Sequence, residues 1–171
     1  LTTPWLAGSI LAWQDKYDAY LRTYLIEALA ALILLVILLR ALSRPHRAGH
    51  IFLLGCLLYG VSQTLMESLR LDGHLRFGFV GVQQVLSAAL FGSVLIALSL
   101  RALRRGGKKA LPALALAAIP LVVGGAIALE FMIDRSTAGK WAAYGLYLPL
   151  LAIPVILGIL LLKRDQEVAR D

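Results

Sequence analysis

Five runs of mostly apolar residues, each about 20 residues long, follow one another along the chain with only short polar breaks between them. An α-helix needs a run of this length to cross the hydrocarbon core of a bilayer. None of the runs alternates apolar and polar residues with a period of two, which disfavours a membrane β-barrel. The sequence therefore predicts an all-α, polytopic membrane helical bundle with about five transmembrane helices. The expected spans are approximately residues 20–42, 50–69, 78–100, 111–133 and 141–162.

The composition favours a membrane location over a water-soluble fold. Hydrophobic residues make up 60% of the 171 residues, and the mean hydropathy is +0.80. Soluble domains are usually about 45–50% apolar, and a small soluble domain leaves too much surface exposed to hide such an excess. The net charge of +7 would suggest a nucleic-acid partner in a soluble protein. Here the basic residues fall in short clusters between the apolar runs, so no nucleic acid is expected.

The polar breaks alternate in charge. The breaks after the first and third runs contain Arg and Lys without any acid, and the segment after the fifth run begins with Lys163 and Arg164. The breaks after the second and fourth runs mix both signs. Because loops rich in Lys and Arg stay in the cytoplasm, we expect the N-terminus outside and the C-terminus in the cytoplasm. Residues 1–19 combine Trp and Tyr with charged residues, which predicts a short interfacial helix or a surface loop.

Several polar residues lie inside the apolar runs, where an ionisable side chain is costly and indicates a function. In the expected topology all of them lie in the outer half of the membrane, and the cytoplasmic halves hold nothing comparable. Turning them toward one another would satisfy them and form a polar pocket that opens outward, rimmed by residues 70–76. The residues in question are Glu27, Gln63, Glu67, Gln83, Gln84 and Glu130.

Other interpretations of these residues are open. Glu27, Gln63, Glu67 and Gln84 would also serve as hydrogen-bonding glue between helices, and Glu130 is more simply an interfacial residue. Arg70 and Arg76 would also extend to lipid head groups without a specific role.

The chemistry available to such a pocket is limited. The sequence contains no His-Glu-x-x-His or Cys-x-x-Cys pattern and no phosphate-binding glycine loop, so neither a metal nor another cofactor is expected. A carboxylate can act as a general base, and an arginine beside it can bind a phosphate. These groups suit the handling of a phospholipid head group at the outer leaflet.

Three segments carry a more specific pattern. Residues 58–72 read Leu-Tyr-Gly-Val-Ser-Gln-Thr-Leu-Met-Glu-Ser-Leu-Arg-Leu-Asp, residues 83–87 read Gln-Gln-Val-Leu-Ser, and residues 23–29 read Thr-Tyr-Leu-Ile-Glu-Ala-Leu. In order and spacing, over roughly residues 23–100, they resemble the prolipoprotein diacylglyceryl transferase family. That family has a Tyr-Gly-x-x-Arg-x-x-x-Glu-x-x-Arg-x-x-Asp-like helix followed by Gly-Gln-x-Leu-Ser.

The resemblance implies a reaction at the outer leaflet of the bacterial plasma (inner) membrane. The family transfers the diacylglyceryl group of phosphatidylglycerol to a lipobox cysteine thiol of a preprolipoprotein and releases glycerol phosphate, without a cofactor. It implies that Glu67 and Glu27 are the catalytic residues, which orient or polarise the head group. The implied substrate-binding residues are Arg70, as the phosphate clamp, with Gln63, Gln84, Tyr59, Asp72 and Arg76.

The sequence departs from the family in three respects. Gln63 stands where the family has an arginine that it uses at its active site. The family's N-terminal half, with a Gly-Arg-x-Gly-Asn-type signature, has no counterpart, and neither do the last two apolar runs. We therefore expect three parts: an interfacial segment 1–19, a transferase-like part 20–104, and an addition 105–171 of two helices and a basic tail.

Two functions follow from this division. The chain is either the C-terminal part of such a transferase, whose missing half comes from a longer chain or a partner subunit, or a non-catalytic membrane module that retains the scaffold. A transporter or channel subunit ranks third, because it would need polar residues along the whole depth of the membrane.

Overall fold

The computed structural model of the protein describes residues 12–14, 19–69, 76–78, 80–105, 109–135 and 140–167. Each of the five helices in these residues is long and apolar enough to cross a membrane. The predicted all-α bundle is thus confirmed, and the chain is a multi-pass membrane protein. The helices are α1 (Thr23–Leu42), α2 (His50–Leu69), α3 (Val82–Arg104), α4 (Ala110–Arg135) and α5 (Lys140–Glu167).

The helix ends differ from the expected spans because short strands precede α1 and α3 and because charged residues extend the ends of α3, α4 and α5. α2 has the expected bounds, but α3 begins at Val82 because the residues before it form a short antiparallel ladder of β3 (Arg76–Phe77) and β4 (Val80–Gly81). α3 then continues to Arg104. Arg101 and Arg104 lie in its last turn, where positive charge is favourable next to the helix carbonyls.

The segment before α1 contains a second ladder. β1 (Ala12–Gln14) pairs antiparallel with β2 (Ala19–Leu21), with Ala12 opposite Leu21. Within the expected interfacial segment 1–19, the described residues are therefore paired strands and not a helix, which corrects the helical alternative there. Residues 1–11 and 15–18 lie outside the described part of the chain.

The apolar core is built mainly by α2, α3, α4 and α5. α3 packs against each of the other three, and α1 packs against α2. No residue of α1 is buried over its described length. The largest fully buried side chains of the core include Tyr147, Phe91, Leu57, Leu95, Leu98, Leu161 and Val122.

Glycines set how closely α2 approaches its neighbours. A Cβ atom placed on Gly60 would lie 2.8 Å from the carbonyl oxygen of Ser87 and 3.0 Å from the backbone nitrogen of Phe91. The backbones of α2 and α3 are therefore in direct contact at this crossing, which only a residue without a side chain permits. Elsewhere on α2, Gly158 of α5 lies against the side chain of Leu57.

One end of the bundle, where α1 and α3 end and α2 begins, carries a cluster around a buried carboxylate. Asp165 is only 8% exposed, and its Oδ2 lies 2.7 Å from Nε2 of the buried His50 and 3.6 Å from Nη1 of Arg47. Its Oδ1 accepts a hydrogen bond from Arg105. We call Arg47, His50, Arg105 and Asp165 the basic-end cluster. It joins α5 to the start of α2 and the end of α3.

The basic-end cluster corrects the expectation that this half of the bundle holds no polar group comparable to those at the other end. The expected fifth span stopped at Leu162, which left Asp165 in the tail. Helix α5 continues to Glu167 and brings that carboxylate back against α2.

Replacing Asp165 by Asn should lower the stability of the bundle by about 2 kcal/mol, because the positive side chains around it would lose their counter-charge. The effect is smaller than for a fully buried pair, since Arg47 and Arg105 are 42% and 33% exposed and water can reach them. Thermal unfolding in detergent micelles would measure it. Glu167→Gln removes an exposed acid from the same helix end and serves as the control. An equal loss in both variants would contradict a specific role for Asp165.

Candidate functional site

The opposite end of the bundle, where α1, α3 and α5 begin and α2 and α4 end, is the polar end. One pair there joins the first two helices: Nε2 of Gln63 donates a hydrogen bond to Oε1 of Glu27 at 3.1 Å. Both side chains are half-buried. A carboxylate on α1 and an amide on α2 are thus held together at the level expected from the sequence.

A second group at the polar end centres on Gln84, which is buried near the start of α3. Its Nε2 donates to Oε1 of Glu130 at 2.8 Å and to Oη of Tyr147 at 2.7 Å, and the carbonyl oxygen of Thr64 lies 3.4 Å away. These four residues belong to α2, α3, α4 and α5. We call them the Gln84 group. It satisfies buried polar atoms while tying four helices together.

The expectation that Glu130 is an interfacial residue is wrong. Glu130 is only 7% exposed and is bonded to Gln84. Helix α4 continues to Arg135, so that Glu130 lies more than one helical turn inside its end. The side chain faces α3 and not the membrane surface.

Glu67 lies near the end of α2 and is 6% exposed. A Cβ atom on Gly81 would approach its Oε1 to 2.9 Å and its Cγ to 3.0 Å. Gly81 has an ordinary extended backbone (φ −72°), so the glycine is needed for space and not for conformation. The start of α3 therefore covers the Glu67 carboxyl group closely, which fixes where that group lies.

The other residues expected at the site fall into two sets. Tyr59 is 47% exposed on the surface of α2, and Gln83 is exposed near the start of α3. Arg70 and Asp72 lie outside the described residues, as does the side chain of Arg76, whose backbone forms β3. The structure thus brings Glu27 to Gln63 and Gln84 to Glu130, and it leaves the Tyr59 side chain exposed.

Sequence reasoning missed two tyrosines on α5. Tyr147 is fully buried in the Gln84 group, and Oη of Tyr144 donates to the carbonyl oxygen of Ser68 at 2.8 Å. Residues three apart share one face of a helix, so the Tyr144–Tyr147 spacing could have indicated a polar face turned inward. Their burial could not be read from spacing alone.

A cavity of about 430 Å³ extends from the Gln84 group between α3 and α4. Thr64, Gln84, Ser93 and Glu130 line it together with apolar side chains of the two helices, so most of its wall is apolar. Among the described residues, no three His, Cys, Asp or Glu side chains are grouped so that they could hold a metal ion.

The polar end of the bundle offers carboxylate and amide groups within a lipid-facing protein. Glu67 and Glu27 can accept hydrogen bonds or a proton, and Gln63 holds Glu27 in place.

Comparison with known proteins identifies the family to which the chain is similar. The family model of prolipoprotein diacylglyceryl transferase matches residues 3–101. No curated protein and no solved structure matches the chain. The matched residues include Glu27, Gln63, Glu67 and Gln84, whereas Glu130 and Tyr147 lie beyond them. Because the match covers more than half of the 171 residues, the chain belongs to the prolipoprotein diacylglyceryl transferase family.

Proposed function

We propose that the chain takes part in transferring the diacylglyceryl group of phosphatidylglycerol to the lipobox cysteine of a preprolipoprotein. The observation that carries the proposal is the buried Glu67, which lies inside the family-matched segment at the same end of the bundle as the Glu27–Gln63 pair. Buried carboxylates within membrane-spanning helices are expensive, and a catalytic or binding task accounts for them better than helix packing.

In the proposed reaction the cysteine sulfur attacks the carbon of the diacylated glycerol that is bonded to the phosphate oxygen. A C–S bond forms, the C–O bond to phosphate breaks, and glycerol phosphate leaves with the bonding electron pair. We assign Glu67 as the acceptor of the thiol proton, since its position is fixed by the start of α3. Glu27, held by Gln63, would orient the hydroxyl groups of the leaving glycerol. Arg70 is the proposed phosphate clamp, with Tyr59, Gln84, Asp72 and Arg76 as further substrate-binding residues.

We place the reaction at the outer leaflet of the plasma membrane of a bacterium, with the N-terminus outside. Basic residues at the end opposite Glu67 support this orientation, because such residues stay in the cytoplasm. We also propose that residues 105–171 are an addition to a transferase-like part 20–104, following an interfacial segment 1–19, since the family match ends at residue 101. The basic residues are Arg40, Arg44, Arg47, Arg101, Arg104, Arg105 and Lys109.

The direct test uses the full native polypeptide in vesicles that contain phosphatidylglycerol with labelled acyl chains. Incubation with a lipobox peptide should add a diacylglyceryl group to the cysteine, seen by mass spectrometry of the peptide. A peptide with Ser in place of the cysteine is the control and should gain nothing. If the native polypeptide yields no thioether product in these vesicles, the proposed function is wrong.

A non-catalytic membrane module that retains the family scaffold is the second candidate. It is favoured by Gln63, a neutral amide in place of the family's arginine, which here makes a simple hydrogen bond to Glu27. In that case the polar residues would serve helix packing alone. Conservative changes at Glu67 would then alter stability without altering any lipid transfer.

A further inference from the structure

The cavity between α3 and α4 opens at the outer surface of the bundle, which lipid surrounds in a membrane. Val85 and Ile96 of α3 and Ile127 of α4 line it and are 48%, 42% and 44% exposed. All three lie within helices that are long and apolar enough to span a membrane. The opening therefore faces the hydrocarbon of the bilayer, and an acyl chain can reach it laterally without crossing water.

Apart from Ser93, whose hydroxyl group donates to the carbonyl oxygen of Leu90 in its own helix, the polar residues of the cavity lie at one end. Thr64, Gln84 and Glu130 line the part next to the polar end of the bundle, and apolar residues such as Ile119 and Val123 line the rest. A phospholipid has the same asymmetry, with ester and glycerol oxygens above a hydrocarbon chain. The amide and carboxyl groups of the Gln84 group are at the level where those oxygens would lie.

The size and lining of the cavity suit a single hydrocarbon chain. The cavity measures about 430 Å³, within the range of sites for small molecules. Most of its wall is apolar, so a flexible hydrocarbon chain fits it better than a polar molecule does.

We propose that the cavity between α3 and α4 is a binding slot for one acyl chain of the phospholipid donor. The identity of the lipid as donor rests on the proposed function. One wall of the slot and the Glu130 carboxyl group come from α4, which lies beyond the family-matched residues 3–101. Helix α4 therefore has a role in holding the lipid.

The chain contains a matched control for this slot. A second cavity, of about 370 Å³, lies between α4 and α5 and is lined by apolar residues only. Ala89 lines the proposed slot and Ala117 lines the second cavity, and both alanines are exposed. Ala89→Phe and Ala117→Phe thus make the same substitution in two cavities, of which only the first has a polar end.

The experiment uses the full polypeptide in vesicles with a small fraction of phosphatidylglycerol that carries a photoreactive group on one acyl chain. After irradiation, mass spectrometry should locate adducts on the slot-lining residues of α3 and α4. Ala89→Phe should reduce these adducts about tenfold by filling the slot, and Ala117→Phe should leave them nearly unchanged. Circular dichroism checks that both variants are folded. If Ala89→Phe fails to fold, Ser93→Phe at the exposed rim of the slot replaces it.

Equal adduct yields in the two variants would overturn the proposal of an acyl-chain slot. Adducts spread evenly over the exposed faces of the helices would overturn it as well. A transfer assay on the same vesicles tests the donor assignment separately. If Ala89→Phe loses the adducts and also has a higher KM for the lipid, the donor assignment is supported. If it loses the adducts while its transfer kinetics are unchanged, the donor assignment is overturned. Absence of transfer by the native polypeptide, with adducts still lost in Ala89→Phe, would contradict the proposed function and still support a lipid slot.

Discussion

Replacing Glu67 by Gln should reduce diacylglyceryl transfer by about 10²-fold or more while the protein stays folded. Gln has nearly the same shape as Glu and can still form hydrogen bonds in the narrow space beside Gly81, but it cannot accept the thiol proton. The loss should therefore appear in kcat, with little change in the affinity for lipid. Initial rates with a lipobox peptide, measured over a range of phosphatidylglycerol fractions, would separate the two.

The control for this variant is Asp134→Asn. This substitution neutralises an exposed acid at the end of α4, which lies at the same end of the bundle as Glu67. It should transfer at the native rate. Thermal unfolding of both variants guards against a trivial loss of structure. A Glu67→Gln protein with undiminished transfer would exclude Glu67 from the chemistry, and one that merely unfolds at lower temperature would favour the non-catalytic module.

Replacing Gly60 by Val should destabilise the bundle by about 3 kcal/mol, the upper end of what overpacking usually costs. The atoms that the new side chain would meet are the carbonyl oxygen of Ser87 and the backbone nitrogen of Phe91. Backbone atoms cannot rotate away as the end of a flexible side chain can, so α2 and α3 would have to move apart. Unfolding in mixed detergent micelles, followed by circular dichroism, would measure the loss.

Gly124→Val provides the matched comparison for Gly60→Val. Gly124 also lies within a long apolar helix, but a Cβ atom there would have nothing within 4 Å. The intrinsic cost of a β-branched residue in a helix is the same at both positions, so the difference between the variants isolates the helix crossing. A Gly60→Val protein no less stable than Gly124→Val would show that the close approach is unimportant.

The length and spacing of apolar runs were enough to predict the helices, because the hydrocarbon thickness demands a run of fixed length. α2 was predicted with the correct bounds, His50 to Leu69. The relative level of polar residues on neighbouring helices was predictable for the same reason, and Glu27 and Gln63 do meet.

The partners of Glu130, Tyr147 and Asp165 were not predictable from the sequence. Whether Glu130 faces lipid or α3 depends on the rotation of α4 about its axis, which the nearly uniform apolar composition of that helix leaves undetermined. Tyr147 lies within the fifth apolar run, where nothing in the sequence indicates that its hydroxyl group accepts a hydrogen bond from Gln84. Asp165 was missed because its partner His50 is 115 residues away and the fifth helix is longer than its apolar run.

The basic-end cluster has a consequence for how the protein is made. Asp165 lies on α5, the last of the five described helices in chain order, so Arg47, His50 and Arg105 are synthesised before it. Until α5 is made, these three side chains lack the carboxylate that contacts all of them in the folded bundle. The contacts that join the start of α2 to the end of α3 through Asp165 therefore form only after α5 has been synthesised.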